Sequence, residues 1–283
     1  MHGGDSPVQP RPAATIALVR DRAGAVEVFL VRRHARSGFM ANAYVFPGGR
    51  VDAADASPEL LTRLGATASE VTVRMAGAED LVDAQAHLVA AVRETFEEAG
   101  FLLATRASGE AVSPQQSWQH ALNAGERTFE SICVDEDLHL DTRGLAYFAH
   151  WVTPNFESRR YAARFFLAVA PAHQEGSHDG HETTDSLWIR PSEALERHQQ
   201  GALFLAPPQW RVLQDLAAHG STAALLAWAR GMARVAPIQP HRFELDGTLA
   251  LALPGDPEHP ETQGAADAAP QRIVLRDGTW HNA

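Results

Sequence analysis

The chain has one cysteine, Cys133. An internal disulfide is therefore excluded, and a reducing compartment is expected. Its neighbours, Ser131-Ile132-Cys133-Val134, form an apolar run suited to a buried structural thiol. Positive charge is scarce too: 24 Lys and Arg face 35 Asp and Glu, for a net charge of −11. That balance argues against a nucleic-acid backbone or an anionic membrane as the main partner. No apolar run approaches the length of a membrane span, and no internal repeat is visible. Met1–Pro12 is Gly/Pro-rich and lacks the apolar core of a signal peptide. Trp280-His281-Asn282-Ala283 does not read as a peroxisomal address. The cytoplasm is thus the expected location. What is present is ordinary for a soluble globule: 283 residues, 45% hydrophobic and 21% charged, enough to bury a substantial core.

The densest information lies in His87–Leu103, HLVAAVRETFEEAGFLL. Leu88, Ala91, Val92, Thr95, Phe96 and Ala99 recur at the spacing of one buried helical face. Glu94, Glu97 and Glu98 recur at three and four residues and crowd another side. Gly100 suits a left-handed helix end. Crowded carboxylates repel, and Arg93, four residues before Glu97, offsets part of that. Two readings stay open on these residues alone: a solvated acidic face, or a site for a hard cation such as Mg²⁺ that takes several oxygen ligands. Upstream, Tyr44-Val45-Phe46-Pro47-Gly48-Gly49-Arg50 runs a short strand into paired glycines, where a backbone can turn sharply and approach a phosphate.

A strand, a Gly-Gly turn and then RETFEEAGF resemble the signature of the Nudix hydrolases: Gly, five residues, Glu, seven residues, then Arg-Glu-U-x-Glu-Glu-x-Gly-U, U being bulky and aliphatic. Gly49, Arg93, Glu94, Glu97, Glu98, Gly100 and Phe101 fall on it. Asp55 stands in place of the first Glu and Thr95 in place of an aliphatic. The gap from Asp55 to Arg93 is 37 residues rather than 7. The resemblance implies an α/β/α sandwich around a mixed sheet, an α/β (α+β) fold. The expected organisation is a flexible N-terminus (1–12), a Nudix domain (13–233) with an insertion (56–86), and a C-terminal extension (234–283).

Along the chain, Ala14–Arg20, Val26–Arg33, Ala146–Val152, Tyr161–Val169 and Ser186–Arg190 read as strands, and Phe101–Ala104 as a short one. Ser57-Pro58-Glu59 opens a helix in the insertion. One or two helices are expected there, packed beside the site. Ser113–Asn123, Pro191–Gln200, Pro208–His219 and Thr222–Met232 read as further helices. Glu175–Asp185 reads as a polar loop. Beyond Arg234 short β-like pieces alternate with prolines, and Gly264–Pro270 reads as a linker.

The resemblance also implies the chemistry, hydrolysis of a diphosphate linked to another group. Glu94, Glu97 and Glu98 are the expected ligands of Mg²⁺ or Mn²⁺, Glu97 is also a catalytic candidate, and Arg93 orients the cluster. Gly48 and Gly49 admit the substrate phosphates. A proton acceptor from a later loop is expected at Glu182, with Glu157 as runner-up. His178, Asp179, His181 and Glu182 also resemble part of a zinc motif, but the second histidine of H-E-x-x-H is missing.

Arg36–Gly49, Trp151–Ala168 and Phe204–Trp210 resemble the coenzyme A diphosphatase-like branch of the family, which also interrupts its box with a long insert. Asn42 departs from a glycine of the stricter coenzyme A pattern. This branch implies a small-molecule, coenzyme A-like substrate. Arg36, Arg159, Arg160 and Arg164 are the candidate phosphate contacts. Phe39, Met40, Trp151 and Phe156 either line a pantetheine or acyl channel or are simply core. Rival functions are a general pyrophosphatase of ADP-ribose, NADH or nucleotide sugars, and a non-catalytic nucleotide-binding module. The oligomeric state is not legible.

Overall fold

The computed structural model describes residues 8–36, 40–65, 74–75, 80–180, 182–262 and 271–283. Two long strands, β1 (Arg11–Arg22) and β2 (Ala25–Arg33), form a hairpin over Ala23-Gly24. They pair only where they meet, from Val19↔Val28 to Arg22↔Ala25, and then part. The gap is crossed by one stretch. β3 (Tyr44–Val45) pairs with β2, Pro47 accepts the N–H of Ile16, and β4 (Gly48–Arg50) pairs with Ala13–Thr15 of β1. The paired glycines therefore lie on β1, in the mouth of the split.

The insertion starts with a 3₁₀ turn (Ala53–Ala56) and α1 (Pro58–Thr62), capped by Ser57, and α1 packs on the next helix. Arg74 ties the insertion to the carbonyls of Ala229 and Met232. The rest of it, 66–73 and 76–79, lies outside the described residues. The chain continues as α2 (Leu81–Ala99), β5 (Ala104–Arg106), α3 (Gln116–Asn123), α4 (Phe129–Asp135), β6 (Leu138–Leu140), β7 (Ala146–Val152), β8 (Tyr161–Val169) and β9 (Thr183–Ile189). Then come α5 (Pro191–Gln199), α6 (Pro207–Ala217), α7 (Thr222–Gly231), β10 (Pro237–Ile238), β11 (His241–Leu245), β12 (Thr248–Ala252), β13 (Arg272–Arg276) and β14 (Thr279–Asn282).

The main sheet runs β10-β7-β8-β1-β2-β3, with β4 on β1 and β9 on β2. β1 and β8 pair in parallel and most other pairs are antiparallel, so the sheet is mixed. Strand alternation sorts its side chains into two cores. Ile16, Leu18, Phe29 and Val31 pack under α2. Ala17, Val19, Val28 and Leu30 pack with Trp210, Leu213 and Leu225 of the later helices. This is the sandwich the motif implies.

Several boundaries shift. Arg11 and Pro12 belong to β1 rather than to a frayed end, because β8 supplies a parallel partner and Arg160 binds the Val8 carbonyl. Phe101–Leu103 is a buried connection rather than a strand, with β5 following it. Thr183–Asp185 leaves the predicted loop and joins β9. The C-terminal pieces form a second antiparallel sheet, β11-β12-β13-β14. Leu251, Leu253, Ile273 and Trp280 share the second core, and the Trp280 N–H donates to Nε2 of buried His198. Residues 263–270, which hold the predicted linker, lie outside the described residues.

Candidate active site

Asp80 caps α2, accepting the Asp83 N–H at 2.7 Å, and Gly100 closes it with a left-handed φ of 71°. The predicted apolar face lies on the sheet, which brings the glutamate face against β4. The Gly48 N–H donates to Glu98 at 3.0 Å. A Cβ on Gly49 would lie 2.4 Å from the Glu94 carboxyl group, so only glycine admits that carboxylate in its present position. A Cβ on Gly48 would meet backbone instead, 2.4 Å from the Ala14 carbonyl oxygen.

Arg93 sits at the centre. Its Nε and one terminal nitrogen donate to the two Asp55 oxygens at 2.8 and 2.9 Å. The other terminal nitrogen is shared by Glu94 and Glu97, at 2.9 Å each. Asp55 is almost wholly buried and also accepts the Asp52 N–H. The 37-residue gap thus closes in space, and the aspartate that departs from the motif forms a bidentate pair with Arg93. Burial pulls the guanidinium toward losing its proton, but Asp55, Glu94 and Glu97 outweigh that and hold it charged.

Burial raises all three glutamates. Glu94 is pushed up to about 7, with Glu97 and Asp55 adding to burial and Arg93 opposing. Glu97 is raised by burial, opposed by Arg93, with Asp55 and Glu182 adding. Glu98 is raised well above the ordinary carboxylate range, by burial and then by Glu94 and, least, Glu182, while the Gly48 N–H and Arg33 pull it back. In all three the largest cause is burial, which disfavours the charged form, and the neighbouring carboxylates add to it.

No group of three or more His, Cys, Asp or Glu residues converges on one point among the described residues. The side chains show why: one oxygen each of Glu94 and Glu97 turns to Arg93. The chemistry of the donor set nonetheless fits a hard cation: three carboxylates on one helix end, with only Arg93 bonded among them. Glu182 is exposed at the start of β9, and its carbonyl accepts the His34 N–H at 2.9 Å. Its charge is a minor contribution to the raising of both Glu97 and Glu98. Glu157 lies in the β7–β8 connection. The zinc reading loses Asp179, which is taken up by turn contacts to Thr183 and Glu182; His181 lies outside the described residues.

The predicted arginines part company. Arg160 is buried and bonded to the Thr153 and Val8 carbonyls and to Gln239, so it ties the β7–β8 connection down instead of offering itself to phosphate. Arg164 is buried against His87, two helical turns from Glu94. Arg36 and Arg159 are exposed. Trp151 belongs to the second core, Phe156 is half-exposed beneath Arg242, Met40 packs on the first core, and Phe39 lies outside the described residues. Two residues gain importance. Asp55 was visible as the sixth residue after Gly49. Arg33, whose charge acts on Glu98, was hidden at the end of a strand.

A family model described as the NUDT19 Nudix domain matches residues 71–216. A chicken (Gallus gallus) protein named acyl-coenzyme A diphosphatase NUDT19 is 32% identical over 285 residues, covering 83% of this chain and 73% of that protein. The human (Homo sapiens) protein of the same name is 30% identical over 290 residues, covering 88% and 74%. The crystal structure of a Nudix hydrolase from Alicyclobacillus acidocaldarius superposes with a TM-score of 0.68 at 31% identity, covering 81% of this chain and 99% of that one. The glutamate helix, the glycine strand packed on it and these matches together identify the chain as a member of the Nudix hydrolase family, in the NUDT19 branch.

Proposed function

We propose that this protein hydrolyses the diphosphate bond of coenzyme A or acyl-coenzyme A with a divalent cation, Mg²⁺ or Mn²⁺. The products would be 3′-phosphoadenosine 5′-phosphate and (acyl-)phosphopantetheine. The observation that carries the reaction is the contact of Glu94 and Glu98 with the paired glycines, beside a glutamate cluster short of positive charge. The names of the relatives support the substrate.

Glu94, Glu97 and Glu98 would hold the cation. Bound there, it would neutralise diphosphate oxygens and acidify a water. Arg93, anchored by Asp55, keeps Glu94 and Glu97 turned to one side. Gly49 leaves room for the Glu94 carboxylate and Gly48 for the β1 backbone, so the paired glycines set where the glutamates would meet the substrate phosphates. Glu97 or Glu182 would take the proton from the attacking water. Both have exposed carboxylates or edges, unlike Glu98, which is sealed against Gly48.

The test is product chromatography with purified protein, Mg²⁺ or Mn²⁺, and a panel of coenzyme A, acyl-coenzyme A, ADP-ribose, NADH and a nucleotide sugar. Preferred cleavage of the coenzyme A compounds is the expected result. Equal turnover of ADP-ribose would discard that specificity and leave a general pyrophosphatase. Binding by calorimetry without hydrolysis would favour a non-catalytic module.

A further inference from the structure

Arg33 ends β2 at the edge of the glutamate cluster. Phe29 and Val31, four and two residues before it, face the core under α2, so alternation sends Arg33 to the α2 side. It pairs with Thr183, whose hydroxyl lies 3.5 Å from the Glu98 carbonyl oxygen. The next residue, His34, binds the Glu182 carbonyl. Arg33 is therefore held, through Thr183 and His34, next to the main chain of both Glu98 and Glu182, and its charge acts on the Glu98 carboxylate.

Its guanidinium nevertheless has no side-chain hydrogen bond or ion pair among the described residues. Nε is buried without a partner. Buried donors nearly always find acceptors. Arg32, Arg74 and Arg164 also leave Nε unpartnered, but a terminal nitrogen of each is bonded, to Asn42, to the Ala229 and Met232 carbonyls and to His87. That is not so for Arg33 among the described residues. Arg93 and Arg160 show the usual outcome, each with its donors taken up by protein oxygens. The chain contains no lysine, so a cationic side chain meeting phosphate here is an arginine or a protonated histidine.

We propose that Arg33 binds a phosphate oxygen of the substrate diphosphate on the Glu98–Glu182 side of the site. A guanidinium matches a phosphate in shape and charge, and an arginine left free of carboxylate partners keeps its donors for the ligand. Arg33 thereby takes the part that Arg160 and Arg164 cannot, since both are occupied inside the fold. This proposal rests on the diphosphatase reading, and its test separates the two.

The variants are R33M and R33K, with melting temperatures confirming that both fold. Calorimetry would measure binding of adenosine 3′,5′-bisphosphate in Mn²⁺, and kinetics would give KM for coenzyme A and the Mn²⁺ needed for half activation. R33M is expected to weaken binding and raise KM by roughly tenfold or more, the span of a lost charge-assisted hydrogen bond. R33K should recover part of both, and the Mn²⁺ requirement should stay within about twofold of wild type. Unchanged binding and KM in R33M, with wild-type turnover of coenzyme A, would overturn the proposal and leave the function standing. A raised Mn²⁺ requirement with unchanged KM would also overturn it, since Arg33 would then serve Glu98 alone. Arg33-dependent binding without hydrolysis of coenzyme A would support Arg33 and remove the proposed reaction.

Discussion

The two ends of α2 bury charge against the same sheet and make opposite use of it. Gly49, Ala14, Arg164 and His150 form one cross-strand row. Above it, Glu94 lies seven residues from His87, about 10 Å along the helix, and Asp83 lies one turn further. At the glutamate end the row offers a glycine, negative charge is in surplus, and the Glu97 side chain keeps 24% of its surface open. At the other end Arg164 fills the space, only 5% of its side chain open, and donates to His87. The His87 Nδ1 faces the Asp83 carbonyl at 2.7 Å, which leaves Nε2 as the acceptor. Burial, Arg164 and His87 lower His150 to about 4, so it is neutral at pH 7. Asp83 lies 3.8 Å from Arg164 as a weak counter-charge. Unbalanced charge becomes a candidate site where a ligand can reach it. Where it is sealed, neutral neighbours and a single distant partner absorb it.

The largest test of this contrast is D55N. Removing one side of the buried Arg93 pair should destabilise the fold by about 3 kcal/mol or more in urea unfolding, because Arg93 keeps its charge and loses its bidentate partner. A loss under about 1 kcal/mol would make the two ends alike. Next, E97Q should keep the melting temperature and lower kcat at least about a hundredfold. Retained turnover would remove Glu97 from catalysis.

Cation binding comes third. Glu94 has a native pKa of about 7 against an ordinary 4.5, so the stability it lends is present below about 4.5 and fades as pH rises through about 7. The metal-free protein should thus lose stability from this group on going from pH 5 to pH 8. Mn²⁺ should restore it more at pH 8 than at pH 5, by about 2.7 kcal/mol at a hundred times its dissociation constant. Equal stabilisation at both pH values would argue against binding at the glutamates. The smallest effect should be R164M. Replacing a weakly paired buried cation with a similar apolar volume should change stability by no more than about 1 kcal/mol, and the change can be a gain. A loss as large as that of D55N would show that Arg164 is as firmly paired as Arg93.

Much of this was legible in order along the chain. The spacing of Glu94, Glu97 and Glu98, the apolar face between them, the glycine pair and the resemblance of the split box all point to one helix lying on one strand. Helices Pro191–Gln199 and Thr222–Gly231 also announced themselves by proline or serine at their starts. Other parts depended on distant partners. Phe101–Leu103 has strand composition but packs as a buried connection. α4 and β6 went unread because each is short and supported by neighbours remote in sequence. Among the arginines sequence gave no ranking: Arg160 finds Val8, 152 residues away, and Arg164 finds His87, 77 residues away.

The sequence by itself determined the chemical inventory: three carboxylates on one helix face, a cation among them, two glycines on an approaching strand, and the family they belong to. Those are local patterns, set by helical and strand periodicity. Tertiary structure alone decided that Asp55 pairs with Arg93 across the insertion, that Arg160 and Arg164 are consumed inside the fold, and that Arg33 is left with unpaired donors near the glutamate helix. The reason is that a charged side chain's role depends on which groups surround it after the chain has closed. Partners far apart in sequence supply most of that surrounding.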